Sequence, residues 1–150
     1  MQRVEKSVRV GAPVDQVYGF WRDFRNFPQF MENVEDVQVQ GDGRRSHWRL
    51  KGPMGMTVEY DAMMTTDEPN KEIAWNSGGG QIETTGAVTF REVESGATEV
   101  HVVMQWYDPP GGPVGEALSR ILQNPDQMLE EDLRRFKGIV EGRTANTTPR

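Results

Sequence analysis

Apolar residues recur at every second position along most of the chain and at every third or fourth position only near its two ends. That contrast sets the architecture. Val4, Lys6, Val8 and Val10 fall on one side of a segment whose other side is Arg3, Glu5, Ser7 and Arg9, the pattern of a half-buried strand. "GAP" breaks it, and Pro13 stands where a first helical residue belongs. Val14, Val17, Tyr18, Trp21 and Phe24 then return at helical spacing. They predict a short amphipathic helix over about Pro13 to Asp23. "NFPQFMENV" predicts a second, shorter helical turn that tucks in Phe27, Phe30 and Met31.

From Glu35 to Tyr107 the period is two, cut by turn residues. Gly41, Asp42 and Gly43 mark a hairpin. Trp48 and Leu50 oppose His47, Arg49 and Lys51. After "KGPMG", Val58, Tyr60, Ala62 and Met64 oppose Thr57, Glu59 and Asp61. "DEPNKE" leads into Ile73 and Trp75, and "SGGG" into Ile82, Thr84, Gly86, Val88 and Phe90. "ESGA" leads into Val100, Val102, Met104 and Trp106, which oppose Glu99, His101 and Gln105. Six strands with one apolar and one polar face result. Such a sheet tolerates water on one side and needs a cover on the other.

The cover is the C-terminal region. A first helical piece begins at Pro113 and carries Val114, Leu118, Ile121 and Leu122. A longer, charged helix follows, with Leu129, Leu133, Phe136 and Val140 as its apolar stripe. Asn124 suits its N-cap, Pro125 its first position and Gln127 a capping box. Between the last strand and these helices, "YDPPGGP" withholds ladder donors and permits an abrupt reversal. "RTANTTPR" lacks periodicity, so a single domain over 1–142 and a disordered tail over 143–150 are expected. The order predicts an α+β fold. A curved seven-stranded antiparallel sheet wraps around a long C-terminal helix, with two short helices between strands one and two.

Composition narrows the function classes. A chain of 150 residues fits one domain. A net charge of −6 argues against a nucleic-acid partner, which needs a basic face. The one dense basic cluster, Arg44, Arg45, Arg49 and Lys51, reads as a solvated hairpin face. The chain has no cysteine, which removes disulfides, thiol nucleophiles and thiolate metal sites. No apolar run has the length of a bilayer span, and the start lacks the apolar core of a signal peptide. A cytoplasmic location is expected, and nothing marks a symmetric interface, which leaves monomer or weak dimer.

Candidate chemistry is sparse. His47 and His101 fall on the polar side of their strands without metal-ligand spacing, so no metal and no cofactor are expected. "SGGGQ" sits between strands and not before a helix, so it is no phosphate cradle. Glu59 and Asp61 share a strand face, as an acid–base pair would, but alternation turns them outward.

The inner face is more informative. It offers Trp48, Leu50, Val58, Tyr60, Met64 and Trp75, then Val88, Phe90, Val102, Met104 and Trp106, with Leu129 and Phe136 facing them from the helix. Only Tyr60, Thr84 and Lys6 add polar groups there. That composition suits an apolar or aromatic ligand held by shape, with Tyr60 as hydrogen-bonding partner and Tyr107, Asp108 and Asn76 at the rim. The same aromatic residues also suit a filled core, and both readings stay open.

One resemblance organises these readings. The segments "APVDQVYGFWRDFRNFPQFMENVEDV", "SHWRLKGPMGMTVEYDA", "EIAWNS", "TGAVTF", "YDPPGG" and "DLRRFK" carry it. Over Val4 to about Gly142 the chain resembles the START-like helix-grip superfamily (SRPBCC), in its polyketide cyclase/dehydrase branch. The resemblance implies a cavity between sheet and C-terminal helix, and a small hydrophobic partner such as a lipid, a quinone or a polyketide-like aromatic. It implies no catalytic residue. Ligand binding leads on this basis. A polyketide cyclase/dehydratase activity is one alternative, and a non-enzymatic adaptor using the outer face or "EEDLRR" is another.

Overall fold

In the computed structural model, a seven-stranded antiparallel sheet curls around one long helix. The structure describes residues 2–52, 55–78, 83–106 and 124–147. The chain runs β1 (Gln2–Val10), α1 (Val14–Arg22), a 3-10 helix (Phe24–Gln29), β2 (Val34–Val39), β3 (Arg45–Lys51) and β4 (Thr57–Glu68). It continues through β5 (Glu72–Gly78), β6 (Thr84–Glu94), β7 (Ala97–Trp106) and α2 (Pro125–Thr147). The expected helical piece from Pro113, Ile82, the glycines of "SGGG" after Gly78, and the reversal "YDPPGGP" lie outside the described residues.

The sheet order is β1-β7-β6-β5-β4-β3-β2. Strands β2 to β7 are consecutive hairpin partners, and β1 closes the series by pairing with β7 from Gln2↔Trp106 to Val10↔Thr98. Register is held because a slip of one residue would turn the whole apolar set to water. Val58, Ile73, Val88, Val100 and Val102 are accordingly fully shielded on the inner face. Breaks in register at Val34/Asp36, Met64/Thr66 and Glu92/Glu94 bend and twist the strands. The β2–β3 hairpin turns through Gly43, at φ 72°, a left-handed conformation that favours glycine. The Asp42 carboxylate accepts from the backbone N–H of Arg44 and Arg45 at 3.0 and 3.2 Å.

Two helix boundaries and one helix cap differ from the sequence expectation. Pro13 takes the N-cap position with an extended ψ of 150°, so α1 begins one residue later, at Val14. Pro125 does open α2, and Met128 N–H donates to the Asn124 carbonyl at 2.9 Å. The Gln127 amide reaches forward to Glu131 at 3.2 Å and does not close a capping box. The helix then runs to Thr147, through most of the segment expected to be a disordered tail; 148–150 lie outside the described residues.

Side chains of α2 grip the rest of the molecule at both ends of its apolar stripe. Arg135 Nε donates to the Phe30 carbonyl at 2.9 Å, and the Asp132 carboxylate accepts from Glu32 N–H at 3.3 Å. Further along, Lys137 Nζ donates to the Arg9 carbonyl at 2.9 Å, and Glu141 accepts from Gly11 N–H at 2.7 Å. Between these tethers Phe136 packs on Trp21 and Phe30, with ring centroids 5.2 and 5.1 Å apart. Such edge-to-face arrangements suit the ring quadrupoles. The aromatic residues of α1 and the 3-10 helix thus plug one end of the space between sheet and α2.

Candidate ligand cavity

The other end of that space is open volume. A cavity of about 110 Å³ lies between the concave face of the sheet, the 3-10 helix and the start of α2. Apolar cavities of comparable size, about 150 Å³, stay dry and take up a benzene-sized molecule.

Its floor is built by strand alternation. Trp48 and Leu50 of β3, Tyr60 and Met64 of β4, Trp75 of β5, and Val102, Met104 and Trp106 of β7 line it, with Leu129 over them on α2. These are nine of the expected cavity residues. Trp48 and Tyr60 stack almost parallel, 8° apart with centroids at 6.0 Å. Trp75 lies across its neighbour strand: a Cβ on Gly86 would fall 2.2 Å from Trp75 Cζ2. Only a glycine on β6 leaves the indole room to lie flat against the sheet.

Four expected residues are core and do not line the cavity. Val58 and Val88 are fully buried and are not among its lining residues. Phe90 packs on Tyr18 and Trp21, and Phe136 belongs to the aromatic plug. Of the expected rim, Asn76 is exposed beside Met63 and Thr85 on the outer face, because Trp75 takes the inward position next to it. Tyr107 and Asp108 lie outside the described residues. Lys6 is half-buried opposite Val102 and is not among the lining residues.

The structure adds lining groups that alternation along the strands did not reach. Trp21, Phe24, Phe27 and Met31 wall the cavity from α1 and the segment after it. Ser46, Asn33 and Asp132 add polar groups. Ser46 was legible, since it sits two residues before Trp48 on the same face; its hydroxyl accepts from the Trp48 indole at 2.7 Å. Asn33 turns its amide to Met128 Sδ at 2.9 Å. Thr84, expected on the inner face, also lines the cavity and is 3.0 Å from Ser77 Oγ through its own hydroxyl.

Asp132 is the most consequential of these additions. It falls between Leu129 and Leu133 on the apolar stripe of α2, and that placement was its signal in the sequence. Its side chain is only 7% exposed. Burial pushes its carboxyl up to about 6, against the lowering pull of Glu32 N–H and of Arg135, which hydrogen-bonds it. Buried acids rise because the charged form loses its hydration. Burial also pushes the Tyr60 hydroxyl up, so it stays protonated.

The polar face of the sheet carries separate networks. His47 is bracketed across β3–β4 by Asp61 at 2.7 Å and Glu59 at 2.9 Å, outside the cavity, as alternation placed all three. Those two carboxylates, Glu59 first, hold the imidazole above its ordinary value. His101 sits between Glu5 and Ser7 on the same face. Among the described residues no three His, Cys, Asp or Glu side chains gather as metal ligands, and no helix is long and apolar enough to cross a membrane.

The curved sheet and the long helix that packs across it form a START-like helix-grip fold. The chain belongs to the polyketide cyclase/dehydrase and lipid transport family, whose profile matches residues 10–134. It is 34% identical over 148 residues to an uncharacterised 17.2 kDa protein of Streptomyces lincolnensis, covering 98% of this chain and 95% of that one. Its fold matches the Zhui aromatase/cyclase of Streptomyces sp. R1128 at a TM-score of 0.76, with 17% identity and 95% of each chain covered. It also matches a START superfamily protein of Mycobacterium smegmatis at 0.65, with 17% identity over 97% of this chain and 99% of that one.

Proposed function

We propose that this protein binds a small, mostly apolar molecule between its sheet and α2. The observation that carries this reading is the cavity of about 110 Å³, lined almost wholly by aromatic, methionine and aliphatic side chains. Desolvation of an apolar ligand drives association, roughly 25 cal/mol for each Å² removed from water. Met31, Met64, Met104 and Met128 give the walls adaptable side chains that conform to ligands of different outline. Tyr60 supplies a neutral hydroxyl to orient what binds. Native mass spectrometry of freshly purified protein, followed by organic extraction, tests the proposal. A defined adduct, together with weaker uptake by Trp75→Ala and Tyr60→Phe, is expected. Affinity unchanged in both variants would sink it.

A cyclase or dehydratase reading has one specific observation behind it. Asp132 presents to the cavity a carboxyl whose protonation changes near neutrality, the property required of a general acid or base. Conversion of a poly-β-ketone probe that is abolished in Asp132→Asn, with probe binding retained, would select this reading. Binding without turnover in the wild type would reject it.

A further inference from the structure

The unpartnered polar atoms of the core indicate what the ligand carries. Trp21 Nε1 and Trp106 Nε1 are buried donors with no hydrogen-bond partner among the described residues. Both rings line the cavity. Buried N–H groups are nearly always paired, and one left without an acceptor is a standing cost to the folded state.

The two indoles differ in surroundings. Trp21 is ringed by Phe27 and Phe136, both edge-on with centroids at 5.2 Å, and by Phe30 and Phe90. Aromatic faces of this kind are weak acceptors for an N–H. Trp106 makes no ring contact of this kind among the described residues, and it is 3% exposed. The hydroxyl opposite it in the ladder, Thr84 Oγ1, is engaged with Ser77. By contrast, the Trp48 indole already has Ser46. Trp106 is therefore the donor still to be matched.

The rest of the lining restricts the acceptor. No lysine or arginine among the described residues lines the cavity. Arg135, which pairs with Asp132, is committed to that carboxylate and to the Phe30 carbonyl. An anionic ligand would thus meet the Asp132 carboxyl without a counter-charge, at a high desolvation cost. A plain hydrocarbon would leave the indole unmatched. A neutral oxygen acceptor satisfies both conditions.

Building on the binding reading above, we propose that Trp106 Nε1–H is the donor that selects the ligand, and that the ligand presents a neutral oxygen acceptor of carbonyl type on an otherwise apolar skeleton. Indane and 1-indanone test this, because they share a fused-ring skeleton and differ by one carbonyl. In the wild-type protein, 1-indanone shifts the Trp106 indole proton downfield in a nitrogen-15 correlation spectrum, and indane does not. Trp106→Phe removes the donor and keeps an aromatic ring. It lowers the ratio of 1-indanone to indane affinity by about tenfold, the usual cost of unpairing one buried polar group. If both probes bind, the ratio holds in Trp106→Phe and the indole proton does not move, the carbonyl assignment is wrong and the binding reading survives. If neither probe binds the wild type, the binding reading fails and the assignment falls with it. Should Trp106→Phe not fold, the wild-type indole shift decides alone.

Discussion

Two residues decide how much of the inner face is cavity and how it responds to pH. Gly86 is the first, because any side chain there would collide with the Trp75 indole at 2.2 to 2.8 Å. Gly86→Ala must push Trp75 off the sheet and into the cavity, which destabilises the fold by about 1–3 kcal/mol as overpacking does and weakens uptake of any ligand. In a Trp75→Ala background that collision is removed. A double-mutant cycle by urea denaturation is expected to show coupling of more than about 1 kcal/mol; additive effects would show that Trp75 does not rest on Gly86. Asp132 is the second. Its carboxyl is raised from 3.8 to about 6, so the native state holds the proton longer than the unfolded chain does. The stability it contributes is fully present below about pH 4 and is lost as pH rises through about 6. Asp132→Asn lacks this loss and keeps an acceptor for Glu32 N–H. Relative to wild type, its stability is expected to rise by up to about 3 kcal/mol between roughly pH 4 and pH 8, at 1.36 kcal/mol per unit. Equal effects at both ends of that range would contradict the assignment.

Among the elements, β3 and β4 show how the outer face supports the inner one. The register that stacks Trp48 against Tyr60 places His47 opposite Asp61 and Arg49 opposite Glu59. His47 is thereby held between two carboxylates that raise its affinity for a proton. A histidine raised in the folded state stabilises fully below its unfolded value and loses that contribution as pH rises through the folded one. His47→Gln is expected to lower the melting temperature at about pH 5.5 and to leave it unchanged at about pH 8.5, since surface pairs of this kind act only when charged. A deficit of equal size at both pH values would mean that packing, and not charge, is what His47 supplies. The pattern of the strands made this cluster legible as outward-facing. The pairing itself was not, because the register of β3 against β4 is not set by alternation within either strand.

For the molecule as a whole, the aromatic plug and the cavity divide one interior between them. Phe20, Trp21, Phe30 and Phe136 meet where α1, the end of the 3-10 helix and α2 converge, and Phe136 is fully buried among them. Removing its ring empties the centre of the plug. Phe136→Ala is expected to cost about 3–5 kcal/mol in urea denaturation. A cost below about 1 kcal/mol would mean that the plug repacks and that filled core and open cavity are interchangeable. The tethers at Arg135 and Lys137 hold α2 to the chain before β2 and to the end of β1, so the helix closes the space that the curved sheet leaves.

Periodicity alone indicated most of the elements, the inward face of β1 and of β3 to β7, and the stripe of α2, because the period of two or of 3.6 is a local property of the backbone. It also placed His47, Glu59 and Asp61 outside and nine lining residues inside. Tertiary structure decided the rest. Which buried side chains face open volume depends on sheet curvature and on where the Phe136 plug ends, so Val88, Phe90 and Phe136 joined the core cluster and Val58 was buried away from the cavity, while Trp21, Phe24 and Phe27 became wall. Asp132 stood in plain view as an acid on an apolar stripe, but the rise of its carboxyl to about 6 comes from burial that only the folded chain supplies. The unmatched donor of Trp106 is likewise a property of assembled neighbours, since only the folded chain shows which acceptors are already taken.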